Sequence, residues 1–557
     1  MILGFDGADP TLLNRWLAEG HLPVLKKIID NGAYGKLRSV PNMGSPASWT
    51  SFATGKNPGK HGIFSFTERD FSSYRYKFVN GSYRKAETFW EILCGDRTGC
   101  IVNVPMSYPV EKINGCMIAG FDAPGTDSAG MCHPQGLINE MNEANGPYRI
   151  IRDVGNLLRK GGDWGEAAED LLGFMDMRTR HVNYLMDKFD WEVFCVVFGE
   201  TDHSQHFYWK FLDSSHPQYD EEEYAKYGDT ILRIYKKMDD IVGQLVAKNP
   251  DATLLIVSDH GGGMNSRGGQ LVPDWLNRLG LLSFAENTIS SPKKLVNKAI
   301  SQAANTAYRI ANKRLSTEMK FKFIRRVPML REKIEAARRL GEIDWQTSKA
   351  FSDGIQDDIW INLKGRDPFG VVGPEDYDQI CDFICEELRS ATDAMTGKPI
   401  VSKIFRRKDV YKGDYVDNAP DISILWNQAA VINGIKTKHA DQVEPHNWTW
   451  EADIFTGGHS MDGIVIASGP AVAEGRTING ANMIDIAPTI LYHFGVEIPE
   501  DFDGHVIEDM FQKEYFKNNP PNYGNAARET AEKESKEIYS DEDNELIEQR
   551  LRDLGYL

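Results

Sequence analysis

The sequence has seven cysteines, Cys94, Cys100, Cys116, Cys132, Cys195, Cys381 and Cys385, and no CxxC pair among them. That removes the zinc-ribbon and dithiol redox motifs. Cys195 lies inside the apolar run WEVFCVVF, where a thiol serves as a small buried hydrophobe. Cys381 and Cys385 stand one helical turn apart, a spacing more often coincidence than a site. Reduced thiols of this kind fit a cytoplasmic protein, the expected location. Long apolar runs are missing too, since no stretch approaches the ~20 residues needed to span a bilayer. The opening MILGFDGADP passes from a short apolar run straight to an acidic turn with no basic segment before it, so no signal peptide is expected. Positive charge is scarce. Lys and Arg number 63 against 81 Asp and Glu, a formal net charge of -18, which excludes a general nucleic-acid binder. Internal repeats and low-complexity blocks are absent.

What is present is 557 residues of ordinary globular composition, 41% hydrophobic and 26% charged, enough for a large core. Five short apolar runs each end in polar or glycine chemistry: MILGF before Asp6, CIVNVP before Met106, VFCVVFGE before Thr201, TLLIVS before Asp259, and GIVIASGP. Continuous runs of this kind read as buried parallel strands. Amphipathic stretches such as TLLNRWLAEGHLPVLKKIIDNG and YGDTILRIYKKMDDIVGQLVAKN supply helices between them. The expected fold is therefore α/β, with a largely parallel central sheet flanked by helices.

Charge divides the chain. Residues 281–340 hold 14 Lys and Arg against 4 Asp and Glu, a break from the acidic remainder that reads as an insertion. The expected organisation is a catalytic core in two parts (1–280 and 441–515), an inserted cap or lid region at 281–440, and a charged helical tail at 516–557. Within the basic segment 293–339, Val296, Ala299, Ile300, Ala303, Ala307 and Ile310 recur at helical spacing. A basic amphipathic helix suits a lid over an anionic substrate, and equally a peripheral contact with a membrane surface. The lid is the favoured reading.

Four places carry metal-ligand chemistry. Asp6 ends the first apolar run, ETDHSQH carries Asp202 and His206 four apart, SDHGGG carries Asp259 and His260, and GGHSMDG carries His459. A lone Asp after a strand is more often a turn former or helix cap. Together, however, the four places supply three carboxylates and three imidazoles, the donor types for divalent cations, at the strand ends where α/β sheets collect ligands. Asp202 and His206 would face the same way on a helical turn. His203 competes with His206 for the role, and spacing does not separate them. Six ligands suffice for two ions, each with an open position, an arrangement suited to in-line displacement at a phosphoryl group. The expected partner is accordingly a small anionic phosphate ester. The stretch GSPASWTSFATG offers a nucleophile at a helix start, with Ser45 placed as N-cap and Pro46 in the first turn. Ser48 and Thr50 are rival hydroxyls on the same helix.

The combination GFDGADP, PASWTSFATGKNPGKHGIFSF, NVPMSYPVEKINGCMIAGFDAPG, ETDHSQHFYW, SDHGGG, GGHSMDG and the terminal RLRDLGYL resembles the type I phosphodiesterase/nucleotide pyrophosphatase family of the alkaline phosphatase superfamily. The resemblance implies an alkaline phosphatase-like core and two divalent ions, most often zinc, with manganese also used. It implies one ion held by Asp6, Asp259, His260 and the Ser45 oxygen, and the other by Asp202, His206 and His459. It also implies that Ser45 is the nucleophile of a phosphoric ester hydrolase that passes through a phospho-serine. Two departures stand out. Ser48 occupies the place where nucleotide pyrophosphatases carry an Asn, and SPASW lacks the Arg of the sulfatase signature. Alternatives within reach of the same motifs are a phosphomonoesterase, a phosphomutase, or a binding protein without turnover.

Overall fold

The computed structural model describes residues 1–150, 152, 154–285, 343–354, 356–429, 431–441, 443, 454–524 and 539–555. The basic segment 293–339 lies outside them.

The apolar runs become strands of one nine-stranded sheet. Its order is Arg476–Asn482, Ala33–Arg38, Asp462–Ser468, Leu254–Val257, Ile2–Phe5, Val193–Phe198, Gly99–Val104, Gly115–Ala119 and Cys132–His133. Four of the five expected strands run parallel: Ile2–Phe5 pairs in parallel with both Val193–Phe198 and Leu254–Val257, and Gly99–Val104 with Val193–Phe198. The fifth, Asp462–Ser468, is antiparallel to both of its neighbours. A strand buried on both faces is uniformly apolar whichever way it runs, so its composition does not reveal its direction.

Side chains alternate across the sheet as strand geometry requires. Leu3 and Phe5 enter one apolar layer, closed by Trp16, Leu25, Phe174 and Tyr235. Ile2 and Cys195 enter the other, closed by Trp49, Phe52, Phe89 and Ile490. Gly4 faces this second layer, where a Cβ would sit 2.6 Å from the Trp49 ring. The helix Ser45–Thr54 can lie this close to the first strand because residue 4 has no side chain.

A second sheet of four antiparallel strands, Ala350–Phe351, Asp358–Ile361, Ile422–Trp426 and Val401–Arg406, packs with the helix Pro374–Arg389 around its own apolar cluster. That cluster takes in Cys381, Cys385 and Leu388 together with Leu271, Val272 and Trp275 from before residue 281. Near the C-terminus the helix Asp541–Leu554 seats Ile547, Leu551 and Leu554 against Ile63, Phe66 and Phe121. Arg550 donates to the carbonyls of Phe121, Ala123 and Pro124, giving a charged helix a buried anchor. All seven cysteines are free thiols. Among the described residues no helix is long and apolar enough to cross a membrane.

Candidate metal centre

The parallel strands deliver three carboxylates to one end of the sheet. Asp6 follows Ile2–Phe5, Asp259 follows Leu254–Val257, and Asp202 lies in the first turn of the helix Glu200–Leu212 after Val193–Phe198. Gly7 makes their approach possible. Its φ of 69° is in the left-handed region, and a Cβ there would lie 2.7 Å from the Asp202 Cβ. His459 arrives on a two-stranded ribbon, Gly261–Met264 against Gly457–Ser460, in which it faces Gly262.

Three imidazoles are oriented in the same manner. The Nδ1 atoms of His206, His260 and His459 lie 3.1, 2.9 and 3.1 Å from the backbone carbonyls of Gly457, Gly261 and Met43. A carbonyl only accepts, so each Nδ1 carries a hydrogen and Nε2 is the nitrogen turned toward the carboxylates, the orientation of a metal-ligating histidine. The His206 and His459 Nε2 atoms face each other at 3.0 Å. His206 Nε2 is 3.2 Å and His459 Nε2 3.5 Å from Asp202 Oδ1. His260 Nε2 is 3.5 Å from Asp6 Oδ1 and 3.4 Å from Asp259 Oδ2.

These donors fit divalent cations. Asp6, Asp202 and Asp259 are buried together, and Asp259 Oδ2 receives no hydrogen bond. Ionised carboxylates packed in this way repel one another unless cations lie between them. Two groups have ligand atoms within 4.8 Å of one another: Asp6, Asp259 and His260, and Asp202, His260 and His459. His206 adjoins the second. Asp6, Ser45, Asp202, His206, Asp259, His260 and His459 therefore all converge. His203 does not. Its Nδ1 hydrogen-bonds the Gly199 carbonyl, and burial with the nearby Arg152 guanidinium holds its imidazole far below the ordinary pKa.

Ser45 differs from the expectation in one respect. The N-cap is Gly44, and Ser45 is the first helical residue with its hydroxyl free of capping. Ser45 Oγ points to Asp6 Oδ1 at 3.4 Å and His260 Nε2 at 3.5 Å. The rivals are engaged elsewhere: Ser48 Oγ bonds Ser39 Oγ at 2.9 Å, and Thr50 Oγ1 donates to the Pro46 carbonyl at 2.6 Å. A serine–histidine pair outside the cluster, Ser51 Oγ with His61 Nε2 at 2.9 Å, is not a nucleophile and base. His61 Nδ1 accepts from the Ile63 N–H, so Nε2 is the protonated nitrogen and donates to the serine.

Burial and the neighbouring Asp202 push the Asp6 carboxyl up to about 8. Burial and Asp6 likewise raise Asp259 well above the carboxylate range. At Asp202 burial is outweighed by the imidazoles, His206 first, which hold it well below that range. In the metal-free protein Asp6 keeps its proton in the folded state to about pH 8 and loses it near pH 4 when unfolded. The folded state then binds more protons, so this contribution to stability declines as pH rises through the window. Metal cations displace those protons. We expect the melting temperature of chelator-treated protein to fall between pH 7 and 8.5 more steeply than that of metal-loaded protein. Parallel curves would refute it.

Over residues 1–449 the chain matches the model of the family described as type I phosphodiesterase / nucleotide pyrophosphatase. It belongs to that family. As a type I phosphodiesterase/nucleotide pyrophosphatase family member it is a phosphoester hydrolase of a divalent-metal-dependent class. Among solved structures it is similar to phosphonoacetate hydrolase from Sinorhizobium meliloti 1021 in complex with phosphonoformate, with 12% identity, 87% of this chain and 93% of that chain covered, and a TM-score of 0.47. It is also similar to murine ectonucleotide pyrophosphatase / phosphodiesterase 5, with 11% identity, coverage of 92% and 99%, and a TM-score of 0.44. The human protein of the same name gives 12%, 92%, 99% and 0.46. No curated protein matches.

This phosphodiesterase-family site also uses a residue that the sequence did not single out. Trp49 Nε1 donates to Asp6 Oδ2 at 2.8 Å, leaving Oδ1 toward Ser45 and His260. The signal for it is indirect: Trp49 lies one helical turn after Ser45 and so shares its face.

Proposed function

We propose that this protein hydrolyses phosphodiester or pyrophosphate bonds with two divalent ions and Ser45 as nucleophile. One observation carries the reading: the Ser45 hydroxyl sits at a helix N-terminus within 3.5 Å of both a carboxylate and an imidazole of the buried cluster. Pro46 has no N–H and Ser48 N already bonds the Gly44 carbonyl at 3.0 Å, so Ser45 and Ala47 supply the first-turn N–H groups that can receive phosphoryl oxygens. Asp6, Ser45, Asp259 and His260 would hold one ion, and Asp202, His206 and His459 the other. Bound zinc or manganese would neutralise the phosphoryl charge and favour the ionised serine. Ser45 Oγ then forms a bond to phosphorus as the bond to the leaving oxygen breaks in line. Its proton departs to the bulk or the leaving alkoxide, and water later hydrolyses the phospho-serine. The Ser48 hydroxyl, paired with Ser39 Oγ at 2.9 Å, brings no positive charge to a further phosphoryl oxygen, which supports a diester over a monoester.

The test is a panel of p-nitrophenyl esters assayed with zinc and then manganese. We expect bis(p-nitrophenyl) phosphate to exceed p-nitrophenyl phosphate in kcat/KM by at least about tenfold, or ~1.4 kcal/mol of transition-state binding. p-Nitrophenyl sulfate should stay near background. Faster turnover of the monoester would overturn the diester preference.

A further inference from the structure

Asp9, the second acid of GFDGADP, is 4% exposed and belongs to neither ligand group. One of its oxygens does ordinary local work. Oδ1 caps the helix Pro10–Ala18, accepting the Thr11 N–H at 2.8 Å and the Leu12 N–H at 2.9 Å. Asn or Ser would serve there about as well. The other oxygen reaches much further along the chain. Oδ2 accepts the Gly262 N–H and the Ser460 hydroxyl, both at 3.4 Å.

Those two donors are not arbitrary. Gly262 follows His260 by two residues, Ser460 follows His459 directly, and Gly262 faces His459 across the ribbon. At Gly261 a Cβ would lie 2.7 Å from Asp9 Oδ2, so the approach of the carboxylate depends on the glycines that follow the Asp259-His260 pair. The Asp9 N–H is in turn bound to the Tyr235 hydroxyl at 2.7 Å, which fixes the residue from below. A single buried carboxylate thus ties together the segment that carries Asp6, the segment that carries Asp259 and His260, and the segment that carries His459.

We infer that Asp9 is a positioning residue of the metal centre: it sets the spacing of the His260 and His459 segments and through it the affinity for metal. The inference rests on the two-ion reading of the cluster. Capping alone needs one acceptor oxygen. Serving both faces at once needs two, which only a carboxylate of this length provides. Partners one layer outside a metal site of this kind are worth about 10–100-fold in metal affinity or activity.

The decisive variant is Asp9→Asn, which keeps a good N-cap but turns an NH2 toward the Gly262 N–H or leaves the helix uncapped. In chelator competition with zinc, and separately with manganese, the wild type comes first. A wild type that retains no ion overturns the two-ion reading itself, and the role of Asp9 with it. With a metal-binding wild type, we expect Asp9→Asn to keep its secondary structure, weaken metal binding about 10–100-fold, and recover kcat with little change in KM as free metal is raised. Ser460→Ala, which removes one of the two donors, should show a smaller loss. The double variant should be no weaker than Asp9→Asn alone, because both changes break the same link. Wild-type metal affinity in Asp9→Asn, activity that added metal does not restore, or losses that add in the double variant would each overturn the inference.

Discussion

Ser45→Ala is expected to lower kcat on the order of 10⁴-fold or more while both ions stay bound, the scale of losing an attacking nucleophile. The hydroxyl is buried at the helix start, 3.4 Å from Asp6 Oδ1 and 3.5 Å from His260 Nε2. Its removal leaves six side-chain ligands in place. The fold should tolerate the change, because Ser45 makes no cap and alanine is the best helix former. Steady-state rates with bis(p-nitrophenyl) phosphate and elemental analysis of the same sample decide the matter. Retained activity in Ser45→Ala, with the loss appearing instead in Ser48→Ala, would remove the serine from its role. A Ser45→Ala protein that also loses metal would make it a ligand before all else.

Asp259→Asn and His459→Ala should each empty one of the two ions and with it most of the activity. Asp259 is fully buried, and its Oδ2 has no hydrogen bond to lose. The asparagine therefore places an amide where charge is needed and breaks no other link through that atom. His459 removes a ligand nitrogen 3.0 Å from His206 Nε2 and 3.5 Å from Asp202 Oδ1. Bound ions would supply the charge neutralisation that phosphoryl transfer requires, so we expect a rate loss of at least about 10³-fold in each. Elemental analysis should give close to two ions per wild-type chain and close to one per variant. One ion in the wild type, or two in either variant, would contradict the assignment. The two variants should also differ in which spectroscopic site a cobalt substitute occupies, since His459 and Asp259 belong to different ligand groups.

The sequence by itself determined the α/β class, because short, mostly apolar runs alternating with stretches of 3.6-residue periodicity leave little else to form. It also determined which residue types end the strands, and the i,i+4 spacing that put Asp202 and His206 on one helical face. The family followed from the motifs taken together. Tertiary structure alone decided the rest. The direction of Asp462–Ser468 is invisible in its composition, since a strand buried on both faces looks the same either way. Which of the Ser45, Ser48 and Thr50 hydroxyls faces Asp6 and His260 depends on how the helix is rotated about its axis, a rotation in which the Trp49 ring packs over Gly4 in the neighbouring strand. The second oxygen of Asp9 was equally hidden, because its partners lie more than 250 residues away in the chain. Periodicity and capping are local properties written in adjacent residues. Which side chains of distant segments share one oxygen or one cation is settled only when the sheet brings its strand ends together.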